Sequence, residues 1–198
     1  VNMFLVNFME LEEIRLHGRG GQGAVSLSQL IADAAVREGK FARAFPWYGA
    51  ARRGAPVMAF VAIGSKESIT RSQIRNPKYV IVLDPALHKV VATVTQGIKE
   101  GGIYIQNSSK DLKTLLNELN LETKLSKIGT VDATKIATDI TGRSIPNIVM
   151  FGAFIKATGL VSLETAAEVV KDRFPRQADK NVECLKAGYE KVNIEVLR

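Results

Sequence analysis

The sequence contains very little cysteine and histidine, and that scarcity excludes several kinds of site. Its 198 residues include one cysteine, Cys184, and two histidines, His17 and His88. One cysteine cannot form an intrachain disulfide, a thiolate zinc site or an iron–sulfur cluster. Two histidines far apart in sequence do not suggest a metal site. We expect Cys184, which lies in a helical pattern, to be a buried structural thiol and not a nucleophile.

Long hydrophobic runs are also missing. The most apolar stretch, residues 147–161, contains Lys156 and is shorter than the roughly 20 apolar residues of a membrane-spanning helix. The first ten residues lack the basic segment and cleavage site of a signal peptide. Because scarce cysteine is also typical of a reducing compartment, we predict a cytoplasmic protein without a membrane partner. We treat residues 1–11 as an N-terminal extension and residues 12–198 as one domain.

The chain has no concentrated basic stripe, although it is basic overall. Lys and Arg number 27 against 20 Asp and Glu, which gives a net charge of +7. A nucleic-acid-binding protein would show clustered basic residues with interleaved aromatics. The charge therefore fits an anionic small ligand or an acidic partner protein, and we expect no nucleic acid.

Hydrophobic periodicity predicts strands that alternate with helices. Predicted strands cover residues 12–17, 41–45, 57–63, 79–84, 103–106 and 125–131. Predicted helices cover residues 24–38, 110–119 and 133–141, a further helix starts at Asp84-Pro85, and the chain is helical from 146 to its end, with breaks near 158–159 and 174–175. We predict an α/β fold: a single Rossmann-like domain with a mostly parallel sheet flanked by helices and a helical C-terminal third.

A glycine-rich segment joins the first predicted strand to the first predicted helix. It runs Gly18-Arg19-Gly20-Gly21-Gln22-Gly23 and matches G-x-G-x-x-G in the strand–turn–helix context that opens a βαβ unit. We expect backbone N–H groups of residues 20–23 to face an anion at the positive end of the helix. The alternative is a tight turn without a ligand.

The sequence lacks the acidic residue that a nicotinamide site needs at the end of the second strand. That strand ends near Arg43, and a loop at residues 46–56 follows with the only tryptophan, Tyr48 and the pair Arg52-Arg53. Arginines suit a ligand with an extra phosphate, such as NADP or coenzyme A. We therefore disfavour NAD.

Catalytic side chains do not form a recognisable set. We expect Asp84 to cap a helix, with a switch-point role as the alternative, and His17 to be a hydrogen-bonded structural residue. No nucleophile–base pair and no pair of carboxylates on one face is evident in the sequence. The pattern indicates a subunit that supplies a binding surface to chemistry carried elsewhere.

Four segments resemble the gamma subunit of 2-oxoacid:ferredoxin oxidoreductases. They are Glu13-Ile14-Arg15-Leu16-His17 with the glycine segment, residues 44–60 with Arg-Arg-Gly-Ala-Pro-Val-Met-Ala-Phe, Arg71-Ser72-Gln73-Ile74 with Asn76-Pro77, and Asn181 with Ala187-Gly188-Tyr189. The resemblance runs from about residue 12 to residue 189. The form of residues 52–60 is similar to pyruvate and branched-chain members, and we favour pyruvate over 2-ketoisovalerate.

The resemblance implies a reaction in which a 2-oxoacid, coenzyme A and ferredoxin give acyl-CoA, CO2 and reduced ferredoxin. It implies that thiamine diphosphate, Mg²⁺ and [4Fe–4S] clusters belong to alpha, beta and delta partner subunits, and that this chain helps to bind coenzyme A but is not catalytic alone. The candidate binding residues are Gly18, Arg19, Gly20, Gly21, Gln22, Gly23, Tyr48, Arg52, Arg53, Ser72 and Gln73. A stand-alone NADP-dependent oxidoreductase and a structural module with an empty loop are the alternatives.

Overall fold

A computed structural model describes residues 10–48, 55–66, 68–69, 72–87, 94–119 and 125–197. Its strands are β1 (Glu12–Arg19), β2 (Phe41–Tyr48), β3 (Pro56–Gly64), β4 (Tyr79–Val82), β5 (Gly102–Asn107), β6 (Leu125–Val131) and β7 (Asn193–Val196). Its described helices are α1 (Ala24–Arg37), α2 (Leu112–Leu119), α3 (Ala133–Thr141), α4 (Asn147–Thr158), α5 (Leu163–Arg173) and α6 (Ala178–Lys191), with a 3₁₀ turn at Pro175–Gln177.

The seven described strands form one mixed sheet in the order β2-β3-β1-β4-β5-β6-β7. The central pairs β1–β4, β4–β5 and β5–β6 are parallel, whereas β2–β3, β3–β1 and β6–β7 are antiparallel. The predicted α/β class, with parallel strands at the centre and flanking helices, is confirmed. The carboxyl ends of the parallel strands meet at one edge of the sheet, which is where such folds bind ligands.

The predicted βαβ unit at the start of the domain is wrong in one respect. After α1 the chain enters β2, which pairs antiparallel with β3, and the parallel neighbour of β1 is β4. The predicted loop at residues 46–56 is also shorter, because β2 continues to Tyr48. The second strand therefore lies at the sheet edge and does not follow β1 in parallel. These described strands therefore do not form the parallel β1–α1–β2 unit that a nicotinamide site uses.

The prediction that the chain is helical from residue 146 to its end misses β7. This strand covers Asn193–Val196 and pairs antiparallel with β6, with Gly129 opposite Ile194. The strand has only four residues, and they are mostly exposed. Its hydrophobic pattern is therefore too short to distinguish it in the sequence from the end of α6. The helix expected at Asp84-Pro85 lies mostly outside the described residues. The other predicted elements are present, with ends shifted by a few residues.

The core is built around α4, which packs between the sheet and α6. Ten of its twelve residues are buried, and the helix meets α6 where Gly152 lies against Leu185 and Gly188 lies against Val149. On the other sheet face, α2 covers a separate apolar cluster that includes Tyr104 and Ile128. Although α4 is strongly apolar, no helix in the described part of the chain has both the length and the hydropathy to cross a membrane.

Candidate functional site

The glycine segment forms a tight turn between β1 and α1. Gly21 and Gly23 have φ angles of 97° and 81°, a conformation that side chains other than glycine rarely adopt. Gly18 has ordinary backbone angles, but a Cβ there would lie 3.2 Å from the Cβ of Ala24. The glycines thus provide both the turn and the close approach of α1 to β1.

Two backbone amides of this loop donate hydrogen bonds to backbone carbonyls of the protein itself. This finding corrects the expectation that the amides of residues 20–23 all face an anion. The amide of Gly20 donates to the carbonyl of Ala55 at 3.3 Å, and that of Gln22 donates to the carbonyl of Arg19 at 3.1 Å. The first intrahelical bond of α1 starts from Leu27, and the N-cap Gly23 supplies no side chain. The amides of residues 24–26 therefore have no intrahelical acceptor and give this helix end its positive character.

Asp84, at the carboxyl end of β4, fixes the loop from the neighbouring strand. Its Oδ2 accepts hydrogen bonds from Arg19 Nε at 2.8 Å and from Gln22 Nε2 at 3.1 Å. Its Oδ1 accepts from the amide of Ala86 at 2.9 Å, as the predicted capping role requires. Gln22 Oε1 in turn accepts from the amide of Arg19 at 2.8 Å. Capping and the switch-point role were predicted as alternatives; the contact with the amide of Ala86 agrees with capping, and the switch-point role stays a prediction.

The loop forms one wall of a cleft of about 430 Å³. The opposite wall comes from the ends of α3, α4, α5 and α6. Besides the glycine loop and the start of α1, the lining residues are Val57, Thr141, Arg143, Ile145, Asn147, Ile148, Phe174, Gln177, Asn181 and Cys184. Two arginines and no acidic residue belong to this described lining. The cleft is therefore a partly apolar recess at the N-terminus of α1 that contains two guanidinium groups, of which that of Arg19 is paired with Asp84.

Asn147 brings the second wall of the cleft against the loop. A Cβ at Gly23 would lie 2.5 Å from Asn147 Nδ2, so the asparagine occupies the space that glycine leaves. Asn147 is only 6% exposed. Its Oδ1 accepts a hydrogen bond from the amide of Ile148. The carboxamide of a nearly buried residue therefore lies at the cleft beside the helix N-terminus.

Sequence reasoning did not select Arg143, Asn147 or Gln177 as site residues. They lie more than 100 positions after the glycine loop, and no motif connects them to it. Among the residues of the second wall of the cleft, only Asn181 was marked by the sequence, since it belongs to one of the segments that carry the family resemblance. The residues meet because α4 and α6 pack on the same sheet face as α1.

Cys184 lies at the bottom of the cleft. It is 1% exposed, as predicted for a structural thiol. Burial, reinforced by the negative charge of Glu183, raises the pKa of the thiol to about 11. The group is therefore a neutral thiol at physiological pH and a poor nucleophile.

Among the remaining candidate residues, Ser72 and Gln73 are described and do not line this cleft. Arg52 and Arg53 lie outside the described residues, as does the side chain of Tyr48. Ser72 is exposed, and Gln73 lines another cleft together with Met58 and Phe60. Because Val57 lines the first cleft and successive strand residues point to opposite faces, Gln73 lies on the other side of the sheet.

His17 is a structural residue, as predicted. It is buried, and its Nε2 accepts a hydrogen bond from Arg15 Nε at 3.0 Å. Burial and the charge of Arg15 lower the pKa of His17 to about 3. Arg15 also donates to the carbonyls of Arg75, Val94 and Gln96, at 2.6–3.2 Å. The pair connects β1 to the two segments that precede β4 and β5.

Within the described ranges, no group of three or more His, Cys, Asp and Glu residues could hold a metal ion. What the described cleft offers is therefore backbone amides, carboxamides and guanidinium groups. Such a set binds anions and amide-bearing ligands, and it contains no residue suited to proton abstraction or nucleophilic attack.

Comparison with known proteins gives a consistent result. The family model described as pyruvate ferredoxin/flavodoxin oxidoreductase matches residues 13–191. The common subunit gamma of the pyruvate/ketoisovalerate oxidoreductases from Pyrococcus furiosus is 45% identical, over 92% of this chain and 97% of that protein. Pyruvate synthase subunit PorC of Methanothermobacter marburgensis is also 45% identical, over 91% of this chain and 97% of its own length.

A solved structure agrees with these sequence relatives. The pyruvate oxidoreductase subunit PORC of Thermotoga maritima superposes with a TM-score of 0.82 and 39% identity, covering 93% of this chain and 98% of that one. The family model and both relatives span nearly the whole chain. The chain therefore belongs to the pyruvate ferredoxin/flavodoxin oxidoreductase family, in which it is a gamma-type subunit of a multisubunit 2-oxoacid oxidoreductase.

Proposed function

We propose that this subunit binds part of coenzyme A in the cleft at the glycine loop while other subunits carry out the oxidoreduction. The observation that carries the proposal is the N-terminus of α1, which has no side-chain cap and opens into a cleft lined by Arg19 and the nearly buried Asn147. Helix N-termini and guanidinium groups are common ligands of phosphate oxygens. The pyrophosphate of coenzyme A is a suitable anion for this position.

The reaction that we propose for the whole complex is oxidative decarboxylation of a 2-oxoacid to acyl-CoA, with electrons delivered to ferredoxin. The single cysteine cannot supply the thiolates of a [4Fe–4S] cluster. We therefore assign the clusters to a delta subunit and thiamine diphosphate with Mg²⁺ to the alpha and beta subunits. This chain would position coenzyme A toward them. The cytoplasmic location and the single domain at residues 12–198 stay predictions.

We propose pyruvate as the 2-oxoacid of the complex, with 2-ketoisovalerate as the alternative. The Pyrococcus furiosus relative is named as a subunit common to pyruvate and ketoisovalerate oxidoreductases. A gamma chain shared between two substrates would not choose between them. We infer that the choice of 2-oxoacid lies with the partner subunits, consistent with a cleft suited to the coenzyme.

Substitutions at both ends of α1 test the coenzyme A site in the assembled complex. Gly21 and Gly39 both have positive φ, and a Cβ at either would meet no atom within 4 Å. Gly21→Ala therefore adds a methyl group at the cleft, and Gly39→Ala applies similar backbone strain away from it. We expect Arg19→Ala to raise the coenzyme A KM about tenfold, the effect of one lost charge-assisted hydrogen bond. Gly21→Ala should also raise this KM, because its methyl group obstructs the approach of phosphate to the loop. Gly39→Ala should not change it.

The first half-reaction provides the control for assembly. Reduction of the complex by the 2-oxoacid without coenzyme A, followed by stopped-flow absorbance, should keep its rate in all three variants. An unchanged coenzyme A KM in both cleft variants would contradict the proposal and assign the loop to packing. Tight binding of NADPH by the complex, competitive with coenzyme A, would instead favour a nicotinamide site.

A further inference from the structure

A second recess extends the glycine-loop cleft toward the C-terminal helices. It has a volume of about 420 Å³ and is lined by Arg143, Arg173, Phe174, Pro175, Arg176 and Gln177. Arg143, Phe174 and Gln177 also line the first cleft, so the two recesses are continuous. Among the described residues that line this arginine recess, half are cations and none is an acid.

The three arginines have no carboxylate partner among the described residues. The nearby acids Glu168 and Asp172 are paired with Arg37, at 3.7 and 2.7 Å. Asp179 lines a different cleft, together with Lys171 and Lys186. Arg173 donates one hydrogen bond to Gln29 Oε1, which is neutral. Three guanidinium groups that line one recess without a described counter-charge repel one another, and binding an anion would relieve that repulsion.

Two turns place these arginines at the recess. Gly142 ends α3 with a φ of 74°, and Arg143 follows it directly. Phe174 and the 3₁₀ turn Pro175–Gln177 join α5 to α6, and Phe174 is held by a hydrogen bond from its amide to the carbonyl of Val170. Arg143 and Arg176 thus extend from short connections fixed by their flanking helices, and Arg173 is the last residue of α5. Phe174 and Pro175 add an apolar surface between them.

We propose that the arginine recess binds the ribose phosphate of coenzyme A, the monoester at the 3′ position that is separate from the pyrophosphate. This inference rests on the proposed function, which places the pyrophosphate at the N-terminus of α1. Arginine is the residue best suited to phosphate oxygens, because its planar fork donates two parallel hydrogen bonds. The half-buried ring of Phe174 and the ring of Pro175 offer a surface for the adjoining adenine. An acidic partner protein is the competing occupant, but a concave recess continuous with a ligand cleft favours the small molecule.

Dephospho-coenzyme A, which lacks only the 3′ phosphate, isolates this contact. The dissociation constants of coenzyme A and dephospho-coenzyme A are measured by calorimetry on the assembled complex. The unsubstituted complex should bind coenzyme A at least tenfold more tightly than the dephospho form. Arg143→Ala and Arg176→Ala should each weaken coenzyme A binding by several-fold to tenfold and leave dephospho-coenzyme A nearly unchanged. Loss of one charge-assisted hydrogen bond has an effect of this size.

Lys171→Ala is the matched control, since Lys171 is a nearby cation that lines the other cleft. It should preserve the preference for coenzyme A. Arg19→Ala should weaken both ligands equally, so failure of the pyrophosphate site and failure of the arginine recess give different results. Arg176 is exposed in the 3₁₀ turn, and its variant is expected to assemble even where Arg143→Ala does not.

Three outcomes would overturn the proposal. One is equal affinity of the unsubstituted complex for the two ligands. Another is an equal loss for both ligands in Arg143→Ala and Arg176→Ala. The third is that Arg143→Ala and Arg176→Ala keep the ligand preference but lose a partner subunit or raise the KM for ferredoxin. That result would assign the recess to an acidic protein surface.

Discussion

Asp84 is the residue that joins the glycine loop to the middle of the sheet. Its buried carboxylate holds the side chains of Arg19 and Gln22 and the amide of Ala86. A charge-assisted hydrogen bond of this kind is worth about 1.5–3 kcal/mol. The loop therefore has a fixed conformation before any ligand arrives, which lowers the entropy that binding must overcome.

The buried pair of His17 and Arg15 gives a testable dependence of stability on pH. The pKa of His17 is lowered to about 3 in the folded protein, whereas an unfolded histidine titrates near 6.5. The unfolded state therefore binds a proton between pH 6.5 and 3 that the folded state does not. We expect the free energy of unfolding to fall as pH decreases through this window, with a His17 contribution of up to about 1.4 kcal/mol per pH unit.

Urea denaturation at several pH values measures this dependence. His17→Gln keeps a possible acceptor for Arg15 and removes the titrating group. Its free energy of unfolding should therefore depend less steeply on pH between pH 6.5 and 4, by an amount that corresponds to nearly one proton. Parallel slopes for the two proteins would show that His17 is not buried as a neutral imidazole.

At the scale of elements, the contact between α4 and α6 depends on two glycines. A Cβ at Gly188 would lie 1.9 Å from the carbonyl oxygen of Val149, and one at Gly152 would lie 1.9 Å from that of Leu185. Backbone atoms cannot rotate away, so the helices would have to separate. This close contact explains why the segment Ala187-Gly188-Tyr189 contains a glycine. In the sequence, only the family resemblance pointed to this segment.

Gly188→Ala should destabilise the protein by about 1–3 kcal/mol, the usual cost of overpacking a core. Gly129→Ala on β6 is the matched substitution, because a Cβ there would find its nearest atom at an ordinary 3.4 Å. Thermal unfolding should show a clear loss of Tm for Gly188→Ala and a small change for Gly129→Ala. Equal effects would mean that the helix contact is looser than the structure indicates.

At the scale of the whole molecule, apolar side chains remain exposed on the edge strand β2. Phe41 and Trp47 are 54% and 47% exposed, and their spacing places them on one face of the strand. Exposed aromatics are typical of a protein surface that partners cover.

The double variant Phe41→Ser with Trp47→Ser should lower the yield of assembled complex in copurification and leave the secondary structure of the isolated chain unchanged. Val36→Ser, which changes an equally exposed residue on α1, serves as the control. Full assembly of the double variant would show that this face is not an interface.

The isolated chain should not turn over pyruvate with a viologen dye, because the proposed catalytic groups belong to its partners. Turnover by the isolated chain would contradict this division of roles.

Much of the fold could be predicted from local sequence. The strand–glycine–helix start, β6 and α3 carry strong periodicity and turn signals. The strand β7 and the antiparallel entry of β2 could not be predicted, because strand direction depends on which neighbour each strand meets. The glycine loop was found as half of the candidate site, whereas Arg143, Asn147 and Gln177 have no local signature and were missed.

The sequence by itself determined the kind of chemistry this chain can take part in. A single cysteine excludes a cluster, the glycine segment provides an anion-binding turn, and the combined motifs indicated the family. Only the tertiary structure decided where the ligand cleft lies and what forms its second wall. Arg143 and Asn147 reach the loop because α4 packs on α1 and the sheet, and such long-range packing is set by shape and burial.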